Sequence, residues 1–384
     1  MDLKLFLDPV SDEYIDDSLS ASSFQKSIFV NHTVMYDLDG IDIVILGIDE
    51  GRGLKRPSHI AGSANEVRRE LYKLSKPFGS CRVLDLGNLR NGPTEDESAR
   101  RLAEVIVHLL NKNVLPIILG GSNDMAFGQY AGYESEDRLV SLLNIDARFD
   151  LDDRNDPARS FLSKIFKYEP NFLFNYIHMG YQSYFVDEKA LSMMERLYFE
   201  TYRLGEVKEK FKEYEPVIRD ADLVTFDISS IKSAYCPEAV DPNVFGFSGE
   251  EACQLTWYAG LNDKLSSIGF YNLNIDPNNS DNKTASVVAT MIWYFIEGYY
   301  HRKGDRNFMS SDYLVYEVSL GIEPESIRFY KSKLSEKWWM EVPDENSDSI
   351  FLRNKMVPCN YADYEIALKG EVPQRWINAL SKMS

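Results

Sequence analysis

LVSLLNIDARFD, residues 139 to 150, is an apolar run that ends in the cluster Asp146-Ala147-Arg148-Phe149-Asp150. A short apolar stretch closed by carboxylates reads as a buried parallel strand that delivers acidic groups at its C-terminal edge. Open α/β sheets place their ligands at that edge. By itself D-x-x-x-D is a weak signal, so its meaning depends on the other strand ends.

Several further stretches have the same character. Ile41 to Ile48 (IDIVILGI), residues 81 to 88 (CRVLDLGN), Val114 to Leu119 (VLPIIL), Phe172 to Met179 (FLFNYIHM), Asp222 to Ile228 (DLVTFDI) and Ile268 to Ile275 (IGFYNLNI) all read as buried strands. Between them lie amphipathic segments. Ser63 and Glu66 suggest a capping box ahead of Val67, Leu71 and Leu74, and Thr94 and Glu97 suggest another ahead of Leu102, Val105, Ile106, Leu109 and Leu110. A helix is expected around Leu191 to Leu204, and a stronger one from Ser286 to Tyr300. Strands alternating with helices in this way imply βα units and a doubly wound, mostly parallel sheet, an α/β fold.

The boundaries follow from composition. Residues 1 to 40 are polar and aperiodic and are expected to pack on the core as a leader, ahead of an α/β domain over 41 to 300. Residues 301 to 384 carry an alternating strand pattern at 313 to 319, aromatics at Phe329, Tyr330, Trp338 and Trp339, and the acidic turn DENSD, which together suggest a small α+β appendage. At 384 residues and 44 % apolar content the chain can bury a large core. A net charge of -18 argues against a nucleic-acid partner. The opening MDLKLFLDPVSDEY does not resemble a signal peptide, and no run approaches a membrane span, so a cytoplasmic protein is expected. The four cysteines lie far apart, consistent with reduced thiols and no zinc site.

Three strand ends carry ILGGSND (118 to 124), NIDARFD (144 to 150) and TFDISS (225 to 230), in that order. Together they resemble the ureohydrolase superfamily of arginase, agmatinase and formimidoylglutamase, whose corresponding blocks are LGGDHS, IDAHxD and SFDxDxxDP. ANEVRREL, VLDLGN and GFSGEEA resemble further blocks of that family, so the likeness spans about residues 41 to 300. The resemblance implies an arginase-like three-layer α/β/α sandwich. It also implies assembly as trimers or hexamers, with residues 301 to 384 as additional surface.

In that family six side chains hold two manganese ions that share a bridging hydroxide, and the resemblance transfers only three of them. Asp146 and Asp227 match the bridging carboxylates and Asp150 matches a terminal one. Asn123 and Arg148 stand where the family has histidine, and Ser229 where it has aspartate, a lost ligand position. Asp146, Asp150, Asp227 and Asn123 form an all-oxygen set for at most one hard cation, Mn²⁺, Mg²⁺ or Ca²⁺. Arg148 has no lone pair to offer a metal. Its guanidinium is expected to replace the second cation through charge-assisted bonds to the three carboxylates. Three carboxylates and one guanidinium still leave a charge of about -2, which a buried site does not hold uncompensated. One divalent ion, a proton on a carboxylate, or a further basic side chain would balance it.

Glu251 matches the family glutamate that receives the substrate's amidine or guanidinium, and it also suits the first turn of a helix. Ser160 is the one matching residue in the substrate loop after Asp150, so Arg148, Ser160 and Glu251 are the expected pocket residues, with Asp150 and Glu251 catalytic if the site is active. On these residues the sequence favours a non-catalytic protein of ureohydrolase fold, binding a small molecule or acting as a regulatory or scaffolding subunit. The alternative is a metal-dependent hydrolase of linear amidines, similar to formimidoylglutamase, arginase or agmatinase.

Overall fold

The computed structural model describes residues 2–34, 36–54, 56, 58–136, 138–151, 157–279, 281–308, 311–321, 323–343 and 356–383. Residues 152–156 of the substrate loop after Asp150 and the DENSD turn lie outside the described residues. The centre is a sheet whose strands, in chain order, are β1 (Leu7–Asp8), β2 (Phe29–Val30), β3 (Ile43–Ile48), β4 (Val83–Leu89), β5 (Leu115–Gly120), β6 (Val140–Ile145), β7 (Leu173–Tyr181), β8 (Glu200–Arg203), β9 (Leu223–Asp227) and β10 (Ser267–Tyr271). Across the sheet they run β1, β4, β3, β5, β10, β9, β6, β7, β8, and β2 also pairs with β4. Every pairing is parallel except that of β1, which runs antiparallel to β4 with Leu7 opposite Leu89.

Both faces of the sheet are covered, which is why its strands read as continuous apolar runs. On β3, Ile43 and Ile45 join one core while Val44 and Leu46 join the other, the two-residue period of a strand buried on both sides. The first core is closed by the helices Ser63–Lys73, Gly249–Gly260 and Lys283–Tyr300. The second is closed by Glu95–Leu110, Ala126–Ala131 and Phe161–Lys167.

Some local expectations are corrected. Ser63 is not a cap: the helix starts after Gly62, which has a φ of 89°, and the Ser63 hydroxyl donates to the His59 carbonyl at 2.7 Å. The second start is half of a box, because Thr94 accepts from the Glu97 amide while the Glu97 carboxylate turns to Arg100. The single helix expected over 191 to 204 is a helix at Glu188–Arg196 followed by the edge strand β8 and a new helix at Leu204–Glu209. Tertiary pairing of β8 with β7 overrides the local helical pattern there. The first forty residues do more than pack on the surface, since β1 and β2 extend the sheet.

Beyond the α/β unit lies a four-stranded antiparallel sheet, β11 (Tyr313–Ser319), β12 (Ser326–Ser332), β13 (Trp338–Glu341) and β14 (Met356–Cys359), followed by the helices Tyr361–Leu368 and Gln374–Met383. Arg219 fastens it. Its guanidinium donates to the carbonyls of Trp338 and Cys359, both at 3.0 Å, and lies 4.4 Å from the centre of the Trp339 ring. These bonds are buried and made by a charged donor, so Arg219→Ala should cost about 2 to 4 kcal/mol. Urea unfolding is the measurement, and a loss below about 0.5 kcal/mol would show that the sheet docks without this clasp.

Candidate metal centre

Four neighbouring strands, β5, β10, β9 and β6, end side by side at the C-terminal edge of the sheet; the last three deliver residues that line one cleft, and β5 delivers Asn123 against it through a hydrogen bond to Asp150. Asn123 follows β5, Asn272 follows β10, Asp227 closes β9, and Asp146 and Asp150 follow β6. Gly120 and Gly121 make the sharp exit from β5 with φ of 91° and 80°, and a side chain at Gly120 would sit 2.6 Å from the Ile48 carbonyl oxygen. Asp150 itself has a φ of 49°, a strained backbone for a residue with a side chain, which is the sort of cost that functional loops carry.

The three carboxylates offer oxygen atoms that all lie within 4.8 Å of one another, and all three residues are buried. What surrounds them is mostly neutral. Asn123 donates its side-chain amide to Asp150 Oδ2. Asn272 donates to Asp227 Oδ2 at 2.8 Å, and the Ser229 amide donates to Asp227 Oδ1 at 2.7 Å. Asp146 Oδ1 accepts only the main-chain N–H of Arg148, at 3.1 Å. Burial, then the proximity of Asp227 and Asp150, holds the Asp146 carboxyl well above the usual carboxylate range. Burial likewise pushes Asp150 up to about 7, with the Asp227 charge adding to it, and Asp227 up to about 6.

Arg148 does not do what its position in the sequence suggests. Its guanidinium carbon lies 3.5 Å from the centre of the Phe185 ring, and no carboxylate among the described residues is within ion-pair distance of it. The expected salt bridges to Asp146, Asp150 and Asp227 are therefore absent among those residues. A cation–π contact with Phe185 outside the cluster takes their place, so the carboxylates lack the counter-charge assigned to them.

Glu251 and Ser160 are also elsewhere. Glu251 is the third residue of the helix Gly249–Gly260, where its carboxylate accepts from the Ser248 amide in a capping box and pairs with Lys208 at 2.8 Å. Ser160 is buried at the start of the helix Phe161–Lys167. Neither is among the described residues lining the cleft, so neither is placed as a pocket residue.

Three contributors were not singled out from the sequence. Asn272, with a φ of 62°, accepts the Asn123 amide at 3.0 Å while holding Asp227, so it ties three strand ends together. Its signal was an asparagine at the end of a buried strand, in the same place as the others. Asp241 lines the cleft and pairs with Arg56 at 2.8 Å and Arg159 at 2.5 Å. His178 is fully buried on β7; its Nε2 donates to the Asp146 carbonyl at 3.0 Å and its Nδ1 accepts from the Tyr176 hydroxyl at 2.8 Å. Burial pulls its pKa down to about 3, so it is a neutral brace behind the Asp146 turn.

A cation fits this site on two observations. Asp146 Oδ2 and Asn123 Oδ1 are buried side-chain oxygens without a hydrogen-bond partner. Such atoms are costly to leave unpaired, and both belong to the set in question. The donor set is entirely oxygen, which suits Mn²⁺, Mg²⁺ or Ca²⁺ and not zinc in a structural site. The space is small, about 10 Å³, roughly what one water or one ion needs.

The sequence profile of the arginase family matches residues 42–297. The chain belongs to the arginase family. Formimidoylglutamase of Streptococcus gordonii is 24 % identical over 312 residues, covering 74 % of this chain and 93 % of the relative. Among solved structures, a formiminoglutamase of Trypanosoma cruzi with Mn²⁺ superposes with a TM-score of 0.63 at 20 % identity, over 70 % of this chain and 97 % of that one. Formimidoylglutamase of Bacillus subtilis gives 0.64 at 16 % identity, over 78 % and 98 %. The fold expected from the strand ends, with its mostly parallel sheet and small C-terminal sheet, is thus the fold of this arginase-family chain. No helix among the described residues is long and apolar enough to cross a membrane, and the four cysteines are free thiols.

The raised carboxyls set a pH dependence for the metal-free protein. Asp150 and Asp227 hold protons in the folded state that the unfolded chain, with aspartate near 3.9, has released. Their contribution to stability is complete below about pH 4 and is lost as pH rises through about 6 to 7. In EDTA, the melting temperature of the wild type should fall relative to that of Asp150→Asn between pH 5 and 8. Parallel curves for the two proteins would contradict the assignment.

Proposed function

We propose that this chain is a metal-dependent hydrolase of a carbon–nitrogen bond in a linear amidine, working with one divalent cation in place of a binuclear pair. The observation that carries the reading is the pair of unpartnered oxygens, Asp146 Oδ2 and Asn123 Oδ1, beside a buried carboxylate triad that forms no ion pair with a basic side chain among the described residues. Arg148 was the strongest reason to regard the site as closed to metal, and its guanidinium lies over the Phe185 ring without an ion pair to the triad.

Asp146, Asp150, Asp227 and Asn123 would hold the divalent cation, which would supply Lewis acidity and lower the pKa of a bound water. The chain's own groups do the rest. Asn272 and the Ser229 amide fix the Asp227 carboxylate, and His178 braces the turn that presents Asp146. Asp150 faces both the cleft and the larger cavity beside it, so it is the carboxylate placed to pass a proton from the attacking water to the departing nitrogen.

A second reading, that the site binds a ligand without turning it over, is favoured by one set of residues. Asn123, Arg148 and Ser229 stand where the family resemblance places three further ligands, and without a second cation no bridging hydroxide forms. The test is product release from N-formimidoylglutamate, agmatine and arginine with and without manganese. The hydrolase reading expects formamide or urea from at least one of them, dependent on manganese and lost by at least about a hundredfold in Asp227→Ala. Manganese binding with no product from any of them would favour the second reading.

A further inference from the structure

The carboxylate cleft holds about 10 Å³, room for an ion or a water and too little for an amidine carbon with its substituents. A cavity of about 500 Å³ lies beside it. Of these two spaces Asp146, Asp227 and Ser229 line only the cleft, whereas Arg148, Asp150 and Arg159 line both. A molecule in the cavity therefore reaches Asp150 but stops short of Asp146 and Asp227 unless part of the shared wall moves.

Arg159 is a part of that wall, and an ion pair holds it there. Its guanidinium lies 2.5 Å from Asp241 Oδ2. Arg56 donates to the other oxygen, Asp241 Oδ1, at 2.8 Å and to the Val240 carbonyl at the same distance. The three side chains come from different parts of the sheet edge, since Arg56 follows β3, Arg159 follows β6 and Asp241 follows β9. Asp241 is the fixed member. The amide of its neighbour Val240 donates to the Asn272 carbonyl at 2.9 Å, and Asn272 is itself tied to Asp227 and Asn123.

The two arginines are the members able to move. Their side chains are 50 % and 37 % exposed for Arg56 and Arg159, against 28 % for Asp241. Ion pairs exposed to this degree contribute little each and are screened by salt. The bonds around the triad differ: Asn123 and Asn272 donate to Asp150 and Asp227 as buried, neutral amides, so salt leaves them in place. The fastening that salt can loosen is thus the one between the wall and its post.

We propose that Arg56, Asp241 and Arg159 form a latch. With both ion pairs made, the cleft is closed to anything larger than an ion or a water, and release of Arg159 from Asp241 joins the cleft to the neighbouring cavity. The latch rests for its purpose on the reading that the triad is the reacting end, but its opening is measurable without substrate or metal.

The test is the rate at which a maleimide labels a thiol placed in the cleft by Ser229→Cys, followed by peptide mapping of the full chain in EDTA. Ser229 is buried, so its replacement reacts only when the cleft opens, and the native, partly exposed Cys253 serves as internal control. Added to this protein, Asp241→Asn and Arg56→Gln should each speed labelling of the introduced thiol by about three- to thirtyfold at low salt and leave Cys253 unchanged. The two substitutions alter the local charge in opposite senses, so acceleration by both reports access and not a changed thiol reactivity. Raising sodium chloride from about 0.05 M to about 1 M should speed the protein with the intact latch by at least about threefold, and the two variants by much less. Val240→Cys, at a second buried position of the cleft wall, should give the same pattern, which keeps the test open if Ser229→Cys folds poorly. Equal labelling with and without the latch, or an acceleration that Cys253 shares, overturns the proposal. Labelling as expected in a protein that releases no product from any amidine keeps the latch and removes the hydrolase reading; product release with labelling unchanged by the substitutions removes the latch alone.

Discussion

Three buried carboxylates facing one another, none in an ion pair with a basic side chain among the described residues, are the constraint on which this site depends. Like charges that close cannot all ionise in a low-dielectric pocket, so the protein must supply protons, a cation, or a basic side chain. Asp146, Asp150 and Asp227 are held in that conflict by their strands, because the parallel order β5, β10, β9, β6 brings four C-terminal ends together. The backbone accepts strain to complete the arrangement, with Asp150 and Asn272 both in the left-handed region. A fold that merely tolerated these residues would gain by turning one of them outward.

Asparagine does much of the local work. Asn123 and Asn272 each donate to one carboxylate, and Asn272 also accepts from the Asn123 main chain, so neutral amides join the strand ends without neutralising them. That division of labour leaves the carboxylates to be balanced by protons or by a cation.

The fold was legible because its information is periodic. Apolar runs on β3, β5, β6 and β9 stand out since both sheet faces are buried, and the carboxylates at their ends are visible in the same runs. What stayed hidden depends on direction. No pattern says that Arg148 turns toward Phe185, because either rotamer satisfies the same sequence. Asn272 looks like any polar residue after a strand until β10 is known to lie between β5 and β9. His178 sits in an apolar strand, yet its bond to the Asp146 carbonyl exists only because β7 pairs with β6. Ser63 carried the chemistry of a cap and was displaced by Gly62, one residue earlier, whose backbone makes the turn instead.

Metal stoichiometry addresses the account most directly. Protein dialysed against manganese, freed of loose ion and analysed for bound metal should carry one ion per chain, and Asp227→Ala should carry none. A wild-type value near two would mean that the substituted positions still complete a binuclear site. A value of zero, with the triad intact and folded, would mean that protons rather than a cation balance the cluster, and would contradict the central claim.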